Sequence, residues 1–258
     1  MSGITDTHKY VLDMRKSLED KLFFIGKVGF PELFVDFGCA DGSVIKKMAF
    51  YYPNCIYVAY DNNPAMIAEA KERLKDVKTA VFMSNMDELE KFVQESTVNN
   101  KVLLLSSVLH EVYNYLNKDE VERFWKFVLT SKFNYVVVRD MLCPQEQPLP
   151  PTYRDRIVNK TDLKLVEDFE SQYGRIEGDI NLLHFLLKYT YTDNWEHELK
   201  ENYFSYKLDN ILAVLKDNTM MYFERYTMPF IKMSIKLDYN INLSLPTHYK
   251  LIMKMKKV

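Results

Sequence analysis

Short apolar runs and amphipathic stretches alternate along the first half of the chain, and this alternation predicts most of its elements. Residues 33–37, 56–60, 79–83, 102–106 and 135–139 are runs of five in which apolar side chains follow one another without polar alternation. Runs of that kind are strands of a parallel sheet covered on both faces. Between them the spacing turns helical at 43–52, 64–74, about 86–95 and about 118–129, and Pro64 suits a first helical turn. Five strand-helix units in succession predict an α/β fold with a doubly wound sheet. Ahead of them, Tyr10, Val11, Met14, Leu18, Leu22 and Phe23 have the spacing of a one-sided helix over 7–25, ending near Gly26.

The pattern changes after the fifth run. Residues 143–151 contain four of the nine prolines, Pro144, Pro148, Pro150 and Pro151, and read as a rigid connector. Residues 152–217 are mainly helical and polar, with Phe185, Tyr189, Tyr191, Trp195, Tyr203, Phe204 and Tyr206 embedded, and read as a cap. In that cap, Leu186, Leu187, Trp195 and Leu199 fall near helical spacing and predict packing on the sheet rather than base stacking. Strands at 220–228 and 247–256, separated by a helix at 229–239, are expected to add an antiparallel pair. The result is a mostly parallel seven-stranded sheet.

Composition removes several classes of function. With 47% hydrophobic and 27% charged residues over 258 positions, the chain has material for a packed interior and no signature of disorder. Its 34 Lys and Arg against 36 Asp and Glu give a net charge of -2, so nothing draws the whole protein to nucleic acid or to an acidic membrane. A local excess of cations lies beyond Thr219, in Arg225, Lys232, Lys236, Lys250, Lys254, Lys256 and Lys257. That excess reads either as a phosphate-binding face or as lysine protection of an edge strand. Cys39, Cys55 and Cys143 form neither a disulfide framework nor a CxxC zinc pattern. With no secretory start and no apolar run near ~18 residues, a cytoplasmic protein without membrane contact is expected.

The chemistry concentrates where the first run meets Asp36-Phe37-Gly38-Cys39-Ala40-Asp41-Gly42 and the second ends in Asp61. Glycines there let a ligand approach the backbone, and the helix that follows offers amide hydrogens to a negative group. A carboxylate at the end of a second strand accepts the two hydroxyl hydrogens of a ribose, which predicts an adenosine-type ligand. Neither GxxxxGK[ST] nor GxGxxG occurs, so a nucleoside triphosphatase and a nicotinamide-dependent oxidoreductase are disfavoured. Nor does the chain carry GxSxG or HExxH, and its five histidines lack metal-ligand spacing; no metal is expected.

The stretch from Asp36 to Gly42, followed by Asp61-Asn62-Asn63-Pro64, resembles motif I and the strand-two region of class I (Rossmann-like) S-adenosylmethionine (SAM) dependent methyltransferases. The family pattern, acid-x-Gly-x-Gly-x-Gly, is matched at Asp36, Gly38 and Gly42 and departs at Ala40. The resemblance covers roughly residues 30–142 and the terminal strands. It implies SAM as cofactor, with Asp36, Phe37, Gly38, Cys39, Ala40 and Gly42 at its amino-acid end, Asp61 on the ribose and Asn62 beside the adenosine. Asn85 and Met86 would meet adenine, and Ser106 and Ser107 would flank the sulfonium. His110 stands where the acceptor would lie; the unperturbed histidine pKa of about 6.5 makes it the candidate base. Glu111 and Asp140 are its candidate orienting groups, and Arg139 and Asp140 are charges at the sheet's carboxyl edge. The expected organisation is an N-terminal helical segment (1–30), a SAM-binding core (31–142), an acceptor-binding helical cap (143–218) and terminal strands (219–258). The expected activity is methyl transfer to a small molecule or an exposed nucleotide such as RNA. The alternative is a catalytically inactive, SAM-binding partner subunit.

Overall fold

The computed structural model describes residues 17–144 and 150–256. Seven strands, β1 (Leu33–Phe37), β2 (Ile56–Tyr60), β3 (Ala80–Met83), β4 (Lys101–Ser106), β5 (Tyr135–Met141), β6 (Thr219–Tyr226) and β7 (His248–Lys254), form one sheet in the order β3-β2-β1-β4-β5-β7-β6. The first five pair in parallel, and β7 runs antiparallel to both β5 and β6. The strand order reverses between β1 and β4, so a crevice opens at the carboxyl ends of those two strands. Every residue of β1 and β4 is buried, which explains their unbroken apolar runs.

The helices of the first half are α1 (Leu18–Lys21), α2 (Ser43–Tyr51), α3 (Pro64–Arg73), α4 (Met86–Glu95), α5 (Leu109–Tyr115) and α6 (Lys118–Thr130). Asn63 caps α3 through Ala65 N–H, Asn85 caps α4 through Asp87 and Glu88 N–H, and Asn117 and Glu120 close a capping box on α6. The expected helix over 7–25 is reduced, within the described residues, to the single turn of α1. Tight turns at 22–27 follow it, and residues 7–16 lie outside the described residues. Its apolar side chains do not continue one stripe: Phe24 is buried beside Phe34, while Phe23 turns to Tyr222 on β6.

The cap comprises α7 (Thr152–Val158), α8 (Leu163–Tyr173), α9 (Gly178–Lys188), α10 (Trp195–Lys200) and α11 (Leu208–Val214); α12 (Pro229–Tyr239) joins β6 to β7. It departs from the expectation that it packs on the sheet. Ile157, Phe169, Leu183, Phe185 and Trp195 close a core of their own with Ile235 and Tyr239 of α12. Of the cap's buried apolar side chains, Tyr206, Leu208, Ile211 and Leu215, in and around α11, join the cluster on the sheet face. The cause is α9, which is buried from Leu182 through Lys188 and therefore needs neighbours on all sides rather than one flat sheet beneath it.

Candidate active site

A cavity of 490 Å³ occupies the crevice at the β1–β4 reversal. Its floor is the β1–α2 loop. Gly38 has φ +78°, and a Cβ there would stand 2.9 Å from Val108 Cγ2, so only glycine fits. Gly38 and Cys39 N–H donate to Tyr60 O, and Ala40 N–H donates to Asp61 Oδ2 at 3.0 Å. Asp61 Oδ1 accepts from Asn63 N–H at 2.9 Å. Each carboxylate oxygen has a second lone pair left for a ligand. Burial pushes Asp61 above the ordinary carboxylate value, against these two backbone hydrogen bonds.

Phe37, Gly38, Ala40, Asp61, Asn62, Met86, Ser106 and Ser107 line the cavity. The other residues expected at the cofactor, Asp36, Cys39, Gly42 and Asn85, do not. Gly42 lies at the start of α2 with φ +73° and faces Leu74 and Ala70, so its glycine serves helix packing. The amide expected to meet an anion there, Ser43 N–H, already donates to Asp41 Oδ1 at 3.0 Å. Asn85 spends its side-chain oxygen as the α4 cap and stands outside the cavity, leaving Met86 alone at that wall. Asp36 and Cys39 border a smaller chamber of 20 Å³, which shares Lys21, Gly38 and Ser106 with the main cavity.

The opposite wall is set by His110 on α5. Its Nδ1 lies 2.7 Å from Asp140 Oδ1 and its Nε2 2.8 Å from Glu201 Oε1, with the ring 2% exposed. Burial alone would lower the histidine's pKa; the two carboxylates outweigh it and hold His110 well above its ordinary value. With a carboxylate oxygen at hydrogen-bond distance from each ring nitrogen, both nitrogens are placed to donate to protein groups. His110 is thus paired on both sides, where the sequence offered Glu111 and Asp140 as its candidate orienting groups. Asp140 is fully buried and lies behind the ring. It also accepts from Leu109 N–H at 2.7 Å and Met141 N–H at 2.8 Å, so it anchors the start of α5 and holds the imidazole.

Glu111 lines the cavity beside this network. Burial, with the nearby Glu201 charge adding to it, pushes its carboxyl up to about 8. One candidate ligand atom from each of His110, Glu111 and Glu201 lies within 4.8 Å of the others. Among the described residues this is the group able to hold a metal, and an ion there would have to displace the proton between His110 and Glu201. Glu201 is the functional side chain that sequence reasoning missed. It lies 91 residues from His110 in a polar stretch after α10. Behind it, buried Lys188 donates to Glu198 O at 2.5 Å and Glu201 O at 2.6 Å. A lysine inside the apolar run of α9 was the available signal that buried polar partners lay nearby.

Arg139 is buried at the cavity edge, with Nε 2.9 Å from Asp20 Oδ2 and Nη1 donating to Ser107 Oγ at 2.8 Å. Lys250 Nζ meets the other oxygen of Asp20 at 2.6 Å, and Tyr226 OH also donates to Asp20. Lys250 thus leaves the expected basic face, and Lys257 lies outside the described residues. Met141, Leu187, Tyr203, Phe230 and Ile231 make the far wall largely apolar, with His248 among them. Burial and the charges of Arg139, His110 and Lys250 keep His248 neutral. Among the described residues no helix is long and apolar enough to cross a membrane.

No protein-family model matches the sequence, and no curated protein matches it. Solved structures do match the fold. The pyocyanin biosynthetic protein PhzM is similar over 96% of this chain and 58% of its own, at 13% identity and TM-score 0.53. An O-methyltransferase family protein from Burkholderia thailandensis is similar over 97% and 60%, at 11% identity and TM-score 0.55. The plantazolicin methyltransferase BamL, solved with a triazolic desmethylPZN analogue and SAH, is similar over 97% and 88%, at 12% identity and TM-score 0.51. The chain spans less than two thirds of the length of the first two. Strand order, the reversal crevice and these likenesses together identify the fold as that of the class I SAM-dependent methyltransferases.

Proposed function

We propose that the protein is a SAM-dependent methyltransferase acting on a small, largely apolar molecule that presents a hydroxyl or amine. The observation that carries this reading is one continuous cavity with two unlike ends. A loop suited to adenosine, with Asp61 and Met86, meets across Ser106 and Ser107 an apolar pocket holding Glu111 and the His110–Glu201 pair. The residues present fit the cofactor: Asp61 keeps lone pairs for ribose hydroxyls, and buried Asp36 Oδ2 has no hydrogen-bond partner among the described residues.

When bound, SAM supplies a methyl group already activated by a positively charged sulfur. The chain then has to align the nucleophile, exclude water and accept one proton. The apolar far wall excludes water. Glu111 accepts the proton: it lines the cavity, and burial raises its carboxyl to about 8, whereas Glu198, the other raised carboxyl of the lining, is already engaged by the Tyr203 hydroxyl. The imidazolium of His110, fixed by Asp140, holds Glu201 in place and keeps a positive charge beside Glu111. A small acceptor is favoured over a nucleotide because Met141, Leu187, Phe230 and Ile231 line the acceptor end, and Arg139 at its edge is committed to Asp20 and Ser107. Calorimetric titration with SAM, S-adenosylhomocysteine and NAD tests the cofactor: binding of the first two and not the third is expected. Binding of NAD alone would overturn the reading.

A further inference from the structure

His248 opens β7 opposite Met141 of β5, and both side chains line the acceptor end of the cavity. The histidine is 3% exposed, and Thr247 before it is fully buried. Thr247 Oγ1 accepts from Met228 N–H at 2.9 Å and lies 2.8 Å from His248 Nδ1. A buried hydroxyl places its own hydrogen on an acceptor, and among the described residues His248 Nδ1 is the acceptor within reach of this one. A neutral imidazole has one donor and one acceptor nitrogen, and burial, with the charges of Arg139, His110 and Lys250, keeps this ring neutral. With Nδ1 accepting, the ring hydrogen is on Nε2, which has no hydrogen-bond partner among the described residues. Neighbouring donors are spent inside the protein: Arg139 on Asp20 and Ser107, Tyr203 on Glu198, and His110 between Asp140 and Glu201. A buried N–H left so is costly unless a ligand completes it.

We infer that His248 is a specificity residue whose Nε2–H donates to an oxygen of the acceptor, which makes that acceptor a hydroxylated aromatic molecule rather than an amine. This rests on the methyltransferase reading and narrows the substrate class within it. The count of lone pairs decides between the two classes. An amine nitrogen has one, which must go to the methyl carbon, and an ammonium has none. A hydroxyl oxygen has two, one for His248 and one for the methyl group. In the transfer the oxygen forms its bond to the methyl carbon, the electron pair of the carbon–sulfur bond stays on sulfur, and the hydroxyl proton passes to Glu111. Tyr191, Tyr203 and Phe230 line the same cavity and suit a flat ring.

Three probes of one shape separate the contacts: 2-naphthol, 2-naphthylamine and 2-methylnaphthalene, titrated into the full chain saturated with S-adenosylhomocysteine. The parent should bind the naphthol about tenfold more tightly than the other two. His248→Leu should remove that preference and change the affinity of the amine and the hydrocarbon by under about twofold. His248→Gln, which keeps a donor near the place of Nε2, should retain most of the preference. Unchanged binding of S-adenosylhomocysteine shows that each variant is folded. No preference for the naphthol in the parent, or a loss in His248→Leu shared equally by all three probes, would overturn the role of His248 and leave the cofactor reading intact. If S-adenosylhomocysteine binds and none of the three probes does, the hydroxylated aromatic class is wrong. If S-adenosylhomocysteine itself does not bind the parent, the methyltransferase reading fails and this inference with it.

Discussion

The cofactor end of the cavity is assembled from three short pieces of chain, 37–40, 60–66 and Met86, whereas the acceptor end collects side chains from His110 to His248. In the first, geometry is local: Ala40 N–H and Asn63 N–H both reach Asp61, and a loop of five residues sets the approach to β2. In the second, each functional group is held by a partner far along the chain, His110 by Glu201 and Asp140, Arg139 by Asp20. A backbone-built site tolerates the loss of a remote contact. A site built from buried charges does not, because removing one partner leaves the other uncompensated.

The comparison is broken most sharply by a change that stops chemistry without touching the loop. Glu111→Gln is expected to lower methyl transfer 10²–10⁴-fold, the range for removing a general base, while S-adenosylhomocysteine affinity stays within twofold. Labelled methyl transfer, screened over hydroxylated and amine-bearing aromatic acceptors, reads the first effect and calorimetry the second. The sign of the pH dependence follows from the raised carboxyl. Glu111 is protonated and inert below its pKa of about 8 and accepts a proton above it, so the parent rate should climb through that pH. In Glu111→Gln that limb should vanish. A variant that keeps it would return the proton transfer to another group.

Next in size is the anchor of the acceptor wall. Asp140→Ala removes the acceptor of His110 Nδ1, Leu109 N–H and Met141 N–H in a fully buried place. A loss of about 3 kcal/mol in urea unfolding is expected, the scale for breaking a buried ion pair. Asp140→Asn, which keeps the shape and one acceptor oxygen, should recover part of it. A cost under about 1 kcal/mol would mean that the wall is as forgiving as the loop.

The contrast also decides what the sequence made legible. Strands β1, β2 and β5 begin where their apolar runs begin, and Asp36, Gly38 and Asp61 lie within a window of 26 residues that one local pattern spans. Glu201 had no such pattern: it follows α10 in a polar, solvent-like stretch, and only the three-dimensional return of the cap brings it to His110. His110 was read without its partners for the same reason. An unpaired histidine before a helix reads as a base, and a histidine between two buried carboxylates does not. Asn85 misled because its position after β3 suits adenine while its side chain is spent on capping α4. Local competition for that oxygen, Asn at an N-cap, was itself readable.

On the loop side, Asp61→Ala is expected to weaken SAM at least tenfold, about 1.4 kcal/mol, through the lost ribose contacts. It also frees Ala40 and Asn63 N–H, which solvent in the open cavity can satisfy, so the unfolding midpoint should move little. If affinity is unchanged, Asp61 is a loop brace and nothing more, and the distinction between the two ends of the cavity loses its cofactor half.

The smallest effects compare two residues in the same backbone state. Ala40 has φ +45° and Ser107 φ +55°, both in the left-handed region that costs a side-chain-bearing residue roughly 1–2 kcal/mol. Glycine relieves that strain but raises the entropy of the unfolded chain, an offset of about 0.4–1 kcal/mol. Ala40 is held through its own backbone N–H, which donates to Asp61 and which glycine keeps, so Ala40→Gly should stabilise by about 0.8 kcal/mol, the difference between the middles of those ranges. Ser107 differs because its hydroxyl accepts from Arg139 Nη1 at 2.8 Å. Ser107→Gly takes a partner from a buried guanidinium at a cost of about 1–3 kcal/mol, which overrides the relief and should make the variant less stable than its parent. Opposite signs in the two unfolding midpoints would show that one strained conformation is sustained through a backbone N–H that glycine keeps and the other through a side chain in a distant ion network. Equal signs would mean that the two ends of the cavity are built alike.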